Sequence, residues 1–139
     1  MESLGNEEFY NAYIIFLRQD AGVSWEYNES TMTLTISGTG DMQDYWWDGE
    51  DVPPWFDLMY DEHIKHIIIE NGITKIGTEC FVYGDVESVT LPESLNYINF
   101  SAFSGIDIVY YNGTETNWAS VNIEPYNDGI LNADIIFLK

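Results

Sequence analysis

Positive charge is nearly missing. Of 139 residues only Arg18, Lys65, Lys75 and Lys139 are cationic, against 24 acids, for a formal net charge of −20. A field of that sign repels phosphate, which excludes direct binding of nucleic acid or of an anionic membrane surface and selects partners with basic surfaces. Cysteine is scarce too. Cys80 stands alone, so no internal disulfide forms and nothing calls for an oxidising compartment. No apolar run is long enough to cross a bilayer, so no membrane insertion is expected. "YIIFL" at 13–17 is too short for a span or a signal core, and "MESLGNEEF" lacks a basic leader region. A cytoplasmic location follows for the chain as written, and a cell-surface or secreted one if a leader has been removed.

What is present is a core. With 45% hydrophobic and 16% aromatic residues, burial offsets chain entropy and the charge does not imply disorder. The length suits one domain over 1–139.

The chain repeats itself. "IKHIIIENGITKIGTECFVYG" at 64–84 aligns with "VESVTLPESLNYINFSAFSG" at 86–105 at an offset of 22, and "IDIVYY" at 106–111 opens a third, shorter unit. Ile64 falls on Val86, Ile67 on Val89, Ile69 on Leu91, Ile73 on Leu95, Ile76 on Ile98 and Phe81 on Phe103. Cys80 falls on Ala102, which makes the cysteine a small core filler rather than a nucleophile. Apolar alternation in "IKHIII" and "VESVTL" predicts strands, with "ENG" and "PES" as turns.

These units resemble BspA-type leucine-rich repeats, most closely in "IIIENGITKIGTECF" and more loosely in "VTLPESLNYINFSAF". "WEYNESTMTLTISGTGDM" at 25–42 is similar to the family's opening hairpin, "PPWF" at 53–56 to its step into the first repeat, and the segment from "VYYNGTETNW" to "ADIIF" to its closing cap. The resemblance implies a mainly β fold with short helices: a small leucine-rich-repeat solenoid of about 22-residue units, with an N-terminal β-hairpin and a C-terminal cap. It divides the chain into an extension at 1–24, the hairpin and an acidic aromatic loop at 25–62, repeats at 63–107 and the cap at 108–139. It also implies binding rather than chemistry, in settings that are mostly cell-surface adhesion.

Local reading adds detail. "TMTLTIS" alternates Met32, Leu34 and Ile36 inward, pairing with Ser24 to Tyr27 across "NES". "TETNWASV" predicts a short helix capped by Thr114, and "ADIIF" a final strand. Phe9, Ala12, Tyr13, Phe16 and Leu17 fall at helical spacing, which favours a helix, although "YIIFL" equally suits an added strand.

Catalytic and metal signatures are missing. There is no HExxH, CxxC, GxSxG or phosphate-cradling glycine loop. His63 and His66, three apart, point to opposite faces of the predicted strand. A sugar cleft built on Trp55 with Asp57, or Trp47 with Asp48, would need a deep pocket that a small solenoid does not offer. Asp41, Asp44, Asp48, Glu50 and Asp51 surround a glycine but lack EF-hand spacing, which leaves at most a weak calcium site. The expectation is a non-enzyme without cofactor or metal.

The loop at 41–62 carries eight acids and six aromatic residues. Trp55 and Phe56 read as core anchors, whereas Trp46 and Trp47 are adjacent, so in extended chain one of them faces solvent as a candidate hot spot. Asp41, Asp44, Trp46, Trp47, Asp48, Glu50, Asp51, Asp57, Asp61 and Glu62 form the expected partner-binding set for a protein with a basic surface. The alternative is an intracellular DNA-mimicking inhibitor of a nuclease or other nucleic-acid-binding protein, of the phage anti-defence type. A chain with a radius of gyration of roughly 14 Å spans duplex carrying about 22 phosphates, close to the 24 acids.

Overall fold

The computed structural model describes residues 14–18, 22–46 and 51–139. Among the described residues eleven strands and three short helices follow one another: β1 (Ile14–Arg18), β2 (Val23–Asn28), β3 (Thr33–Gly38), β4 (Gly40–Asp41), α1 (Phe56–Tyr60), β5 (His66–Ile69), β6 (Ile73–Ile76), β7 (Val86–Pro92), β8 (Tyr97–Ile98), β9 (Ile106–Asn112), α2 (Glu115–Ala119), β10 (Asn122–Ile123), α3 (Asp128–Leu131) and β11 (Asp134–Phe137). They form a seven-stranded sheet in the order β11-β9-β7-β5-β3-β2-β1 and a four-stranded sheet in the order β10-β8-β6-β4. The chain winds from the large sheet to the small one and back once per coil. It is the small solenoid that the repeats predict, opened by the β2–β3 hairpin.

Parallel register turns the repeat into vertical ladders. Leu34 pairs with Ile67, Ile67 with Val89, Val89 with Val109 and Val109 with Ile135. The first four of these, with Ile36, Ile69, Leu91 and Tyr111 of the next inward row, are buried. In the small sheet Ile76, Ile98 and Ile123 stack in the same way. The first two coils are 33 residues apart at Leu34 and Ile67, against 22 for Ile67 and Val89. The hairpin's second strand is therefore itself the first coil, with the acidic loop inserted in it. The boundaries drawn after 24 and after 107 fall inside β2 and β9.

A third wall is aromatic. Trp55 stacks on Phe81 with centroids 5.4 Å apart, Phe81 stacks on Phe103 at 5.2 Å, and Trp25 meets Trp55 edge-on at 6.0 Å. The indole of Trp55 donates to the Cys80 carbonyl at 2.7 Å, which satisfies its one polar atom inside the core. Corners are equally tight. A Cβ on Gly72, where φ is +114°, would stand 2.3 Å from the Gly38 carbonyl, so the stacked corners require glycine. Ser94 ties the next corner by accepting from Gly72 N at 2.9 Å and donating to Ile73 O at 2.7 Å.

The last coil is closed by an asparagine. Phe81 N donates to Ala102 O, but one coil later no backbone carbonyl takes that place. The side chain of Asn127 accepts from Ala102 N at 3.0 Å and Phe103 N at 3.2 Å, and donates to Asn99 O and Glu124 O at 2.8 and 3.0 Å. Its amide is fully buried and fully satisfied.

The predicted α2 and its Thr114 cap are present, with Thr114 Oγ1 accepting from Asn117 N and the Asn117 side chain closing a capping box. Three readings are corrected. Ile14–Arg18 is a strand antiparallel to β2, not a helix, because it completes the sheet edge; Phe9 to Tyr13 lie outside the described residues. Met32 belongs to the turn, at φ 54°, where its carbonyl receives Lys65 N and His66 N. His63 precedes β5 rather than lying in it, and its carbonyl accepts from Tyr27 OH at 2.7 Å.

Two substitutions test this core. Trp55→Ala is expected to lower unfolding free energy by about 3–5 kcal/mol. Asn127→Ala, which strands two buried N–H groups and two carbonyls, is expected to lower it by about 2–4 kcal/mol. Urea titration followed by circular dichroism reads both.

Candidate functional site

The acidic aromatic loop starts on one side of the solenoid and finishes on another. Its first part extends the small sheet: Met42 N donates to Lys75 O and Tyr45 N to Thr78 O, at 2.9 Å each. Gly77 permits the approach, since a Cβ there would lie 2.1 Å from the Gln43 carbonyl. Trp46 N then donates to Asp51 O and closes a pinch. From Pro53 the chain turns inward, buries Trp55, and packs Met59 of α1 beside Gly84. His63 N to Leu58 O and Lys65 N to Met32 O deliver it to β5 in the large sheet.

This path separates the expected site residues. Asp41, Asp44, Trp46 and Asp51 lie on the side of the small sheet, whereas Asp57, Asp61 and Glu62 are exposed on and just after α1, with Trp55 and Met59 between the groups. Trp47, Asp48 and Glu50 lie outside the described residues. Asp41 accepts from Thr74 Oγ1 at 2.6 Å. Asp44 is half-buried and structural in its contacts, accepting from Thr78 N at 2.8 Å and Asn99 Nδ2 at 3.0 Å. Phe56 is half-buried rather than core, because it faces Tyr60 along the outside of α1 at 5.9 Å.

Trp46, one of the two adjacent tryptophans, faces solvent. It is 45% exposed and rests against Phe100, which is 37% exposed, with ring centroids 5.9 Å apart. Around this pair the outer face of the small sheet is polar. Tyr97 OH donates to Glu124 at 2.7 Å, which raises the phenol's pKa above its ordinary value, and Lys75 lies over the Tyr97 ring at 5.7 Å. Phe100 was not singled out from sequence. The signal was there: the repeat places it on Thr78, where the other copy has a small polar residue.

Among the described residues one thiol is sealed in the core and one serine hydroxyl meets a histidine. Cys80 is buried, and desolvation pushes its thiol well above its ordinary value of 9.0. His66 Nδ1 contacts Ser88 Oγ at 2.8 Å and its Nε2 is 4.0 Å from Glu87. With Trp55 sealed in the core, the pairing of Trp55 and Asp57 in a sugar cleft is ruled out. Among the described residues no three potential ligands gather as a metal site, and no helix is long and apolar enough to cross a membrane.

The buried thiol gives a pH prediction. Folding holds Cys80 protonated while the unfolded chain ionises, so its contribution to stability is full below the ordinary thiol value of 9.0 and declines as pH rises past it. Unfolding free energy is expected to fall with pH above about 9. Cys80→Ala, the residue at the aligned position 102, should remove part of that slope in denaturant titrations at pH 7 and pH 10. Tyr27 and Tyr111, whose phenols burial also pushes up, contribute to the remainder, as do Tyr97 and Lys65.

Comparison with known proteins supports the repeat architecture. Residues 57–123 match the family described as BspA type leucine rich repeat region (6 copies). No curated protein sequence matches the chain. Among solved structures, a leucine-rich repeat protein from Eubacterium ventriosum superposes with a TM-score of 0.54 at 20% identity, over 73% of this chain and 31% of that one. The chain thus spans under a third of that neighbour, and the likeness bears on fold alone. Together with the coil register, the match shows that residues 57–123 carry BspA-type leucine-rich repeats.

Proposed function

We propose that the chain is a non-enzymatic protein-binding repeat module. Its contact surface is the flank around Trp46 and Phe100, and its partner carries a basic patch. The exposed aromatic pair is the observation that carries this reading. Two large rings held against each other on a rigid flank, beyond what the core needs, present area whose burial a partner can gain with little ordering cost. Asp41, Asp51 and Glu124 rim the flank, and the overall field of −20 adds fast, salt-sensitive association with basic surfaces. Strand-mediated protein interaction is common in solenoids of this kind, which present extended regular surfaces.

The nucleic-acid mimic needs its acids in one ribbon. The division of the loop's acids between the small-sheet flank and α1 favours the aromatic reading over it.

The test is quantitative capture from lysate with wild-type and variant bait. Trp46→Ala with Phe100→Ala is expected to weaken retention of the same species by roughly tenfold or more. Asp41→Asn with Asp51→Asn should weaken binding most at low salt, where the charges are least screened, and less as salt rises. Equal retention by the aromatic variant, with an unchanged melting temperature, would sink the flank. Displacement of the captured species by duplex DNA would transfer weight to the mimic.

A further inference from the structure

A second surface lies at the far end of the solenoid. Between the turn after Phe103 and helix α3 runs a cleft of about 500 Å³, floored by Phe103 and Ile106 and edged by Tyr126, Asp128 and Asn132. No other described residue hydrogen-bonds or pairs with the side chains of Tyr126, Asp128 or Asn132. Tyr126 is 75% exposed, the most open of the large hydrophobic side chains described.

The backbone sets the direction in which that side chain leaves the chain. Tyr126 has φ +67°, a left-handed conformation that a bulky residue adopts only under constraint. The constraint is its neighbour Asn127, whose side chain is locked by four hydrogen bonds inside the last coil. The Tyr126 side chain thus leaves the backbone toward the cleft that Asp128 and Asn132 also line.

We propose that this cleft receives an arginine side chain of a partner protein. The guanidinium would stack on the Tyr126 face, pair in a bidentate manner with the Asp128 carboxylate and donate to the Asn132 carbonyl oxygen, leaving its methylene stem over the apolar floor. A flat cation that carries donors around its whole edge fits an aromatic face beside a carboxylate better than a compact ammonium does. The field of −20 disfavours an anion in the same place. The inference rests on the protein-binding reading only for the source of the arginine; the cleft and the aromatic flank are separate surfaces.

Titration of the ¹⁵N-labelled chain with N-acetyl-Gly-Arg-Gly-amide, and with its lysine and citrulline counterparts, tests it. The arginine peptide is expected to shift the amides of 103–106 and 126–132 saturably, the lysine peptide more weakly, and the neutral citrulline peptide not at all. Asp128→Asn and Tyr126→Ala should each weaken the arginine response by roughly fivefold or more, while Trp46→Ala leaves it unchanged. Both residues are solvent-facing, so the fold survives their replacement. Shifts spread over all acidic surfaces and indifferent to Tyr126→Ala would overturn the proposal in favour of diffuse attraction. Equal binding of the citrulline peptide would overturn it as well. Loss with Trp46→Ala but not with Tyr126→Ala would assign the arginine to the flank, overturning the cleft while sustaining the proposed function.

Discussion

Every other feature depends on coils stacking in strict parallel register. Leu34, Ile67, Val89 and Val109 stand directly above one another inside the large sheet, and each such burial contributes about 1.5–3 kcal/mol. No coil could hold its apolar face out of water alone. Because side chains alternate across a strand, a slip of one residue would turn the whole ladder outward. Backbone ladders, corner glycines and the Trp55–Phe81–Phe103 stack all presuppose that alignment.

A stack of this kind leaves two ends to be dealt with, and the chain treats them differently. At the start, β2 and β1 continue the large sheet beyond β3 in antiparallel fashion, replacing coils by simple strands. At the other end Asn127 supplies with one side chain the acceptor that a further coil would bring, and β11 pairs beside β9. The residue that terminates the ladder also forces Tyr126 outward, so a structural closure and an exposed surface arise from the same dipeptide.

The few cations reinforce the stacking instead of neutralising the field. Lys65 bridges to Asp85 on the next coil at 3.0 Å, Lys139 meets Glu93 at 2.7 Å, and Lys75 lies over Tyr97. These exposed contacts are individually weak, because water and salt screen them. Their effect on the surface is larger, because they leave most acids without a counter-charge and give the molecule a long-range preference for basic partners.

By itself the sequence determined the coil. The 22-residue offset placed Ile67 on Val89, Ile76 on Ile98, Phe81 on Phe103 and Cys80 on Ala102, since burial inside a solenoid imposes the same periodicity on residues and on space. It also marked the Thr114 cap, whose chemistry is local. Tertiary structure decided what locality cannot encode. Apolar spacing in "YIIFL" suits helix and strand alike, and the open edge of β2 chose the strand. The acidic loop was legible as a run of residues but not as two separated faces, because its course depends on where Trp55 and Met59 find room in the core. Phe100 beside Trp46, and Asn127 in place of a missing carbonyl, join residues 54 and 25 positions apart in the chain. Such pairings exist only once the coils are stacked, since stacking sets the distances between them.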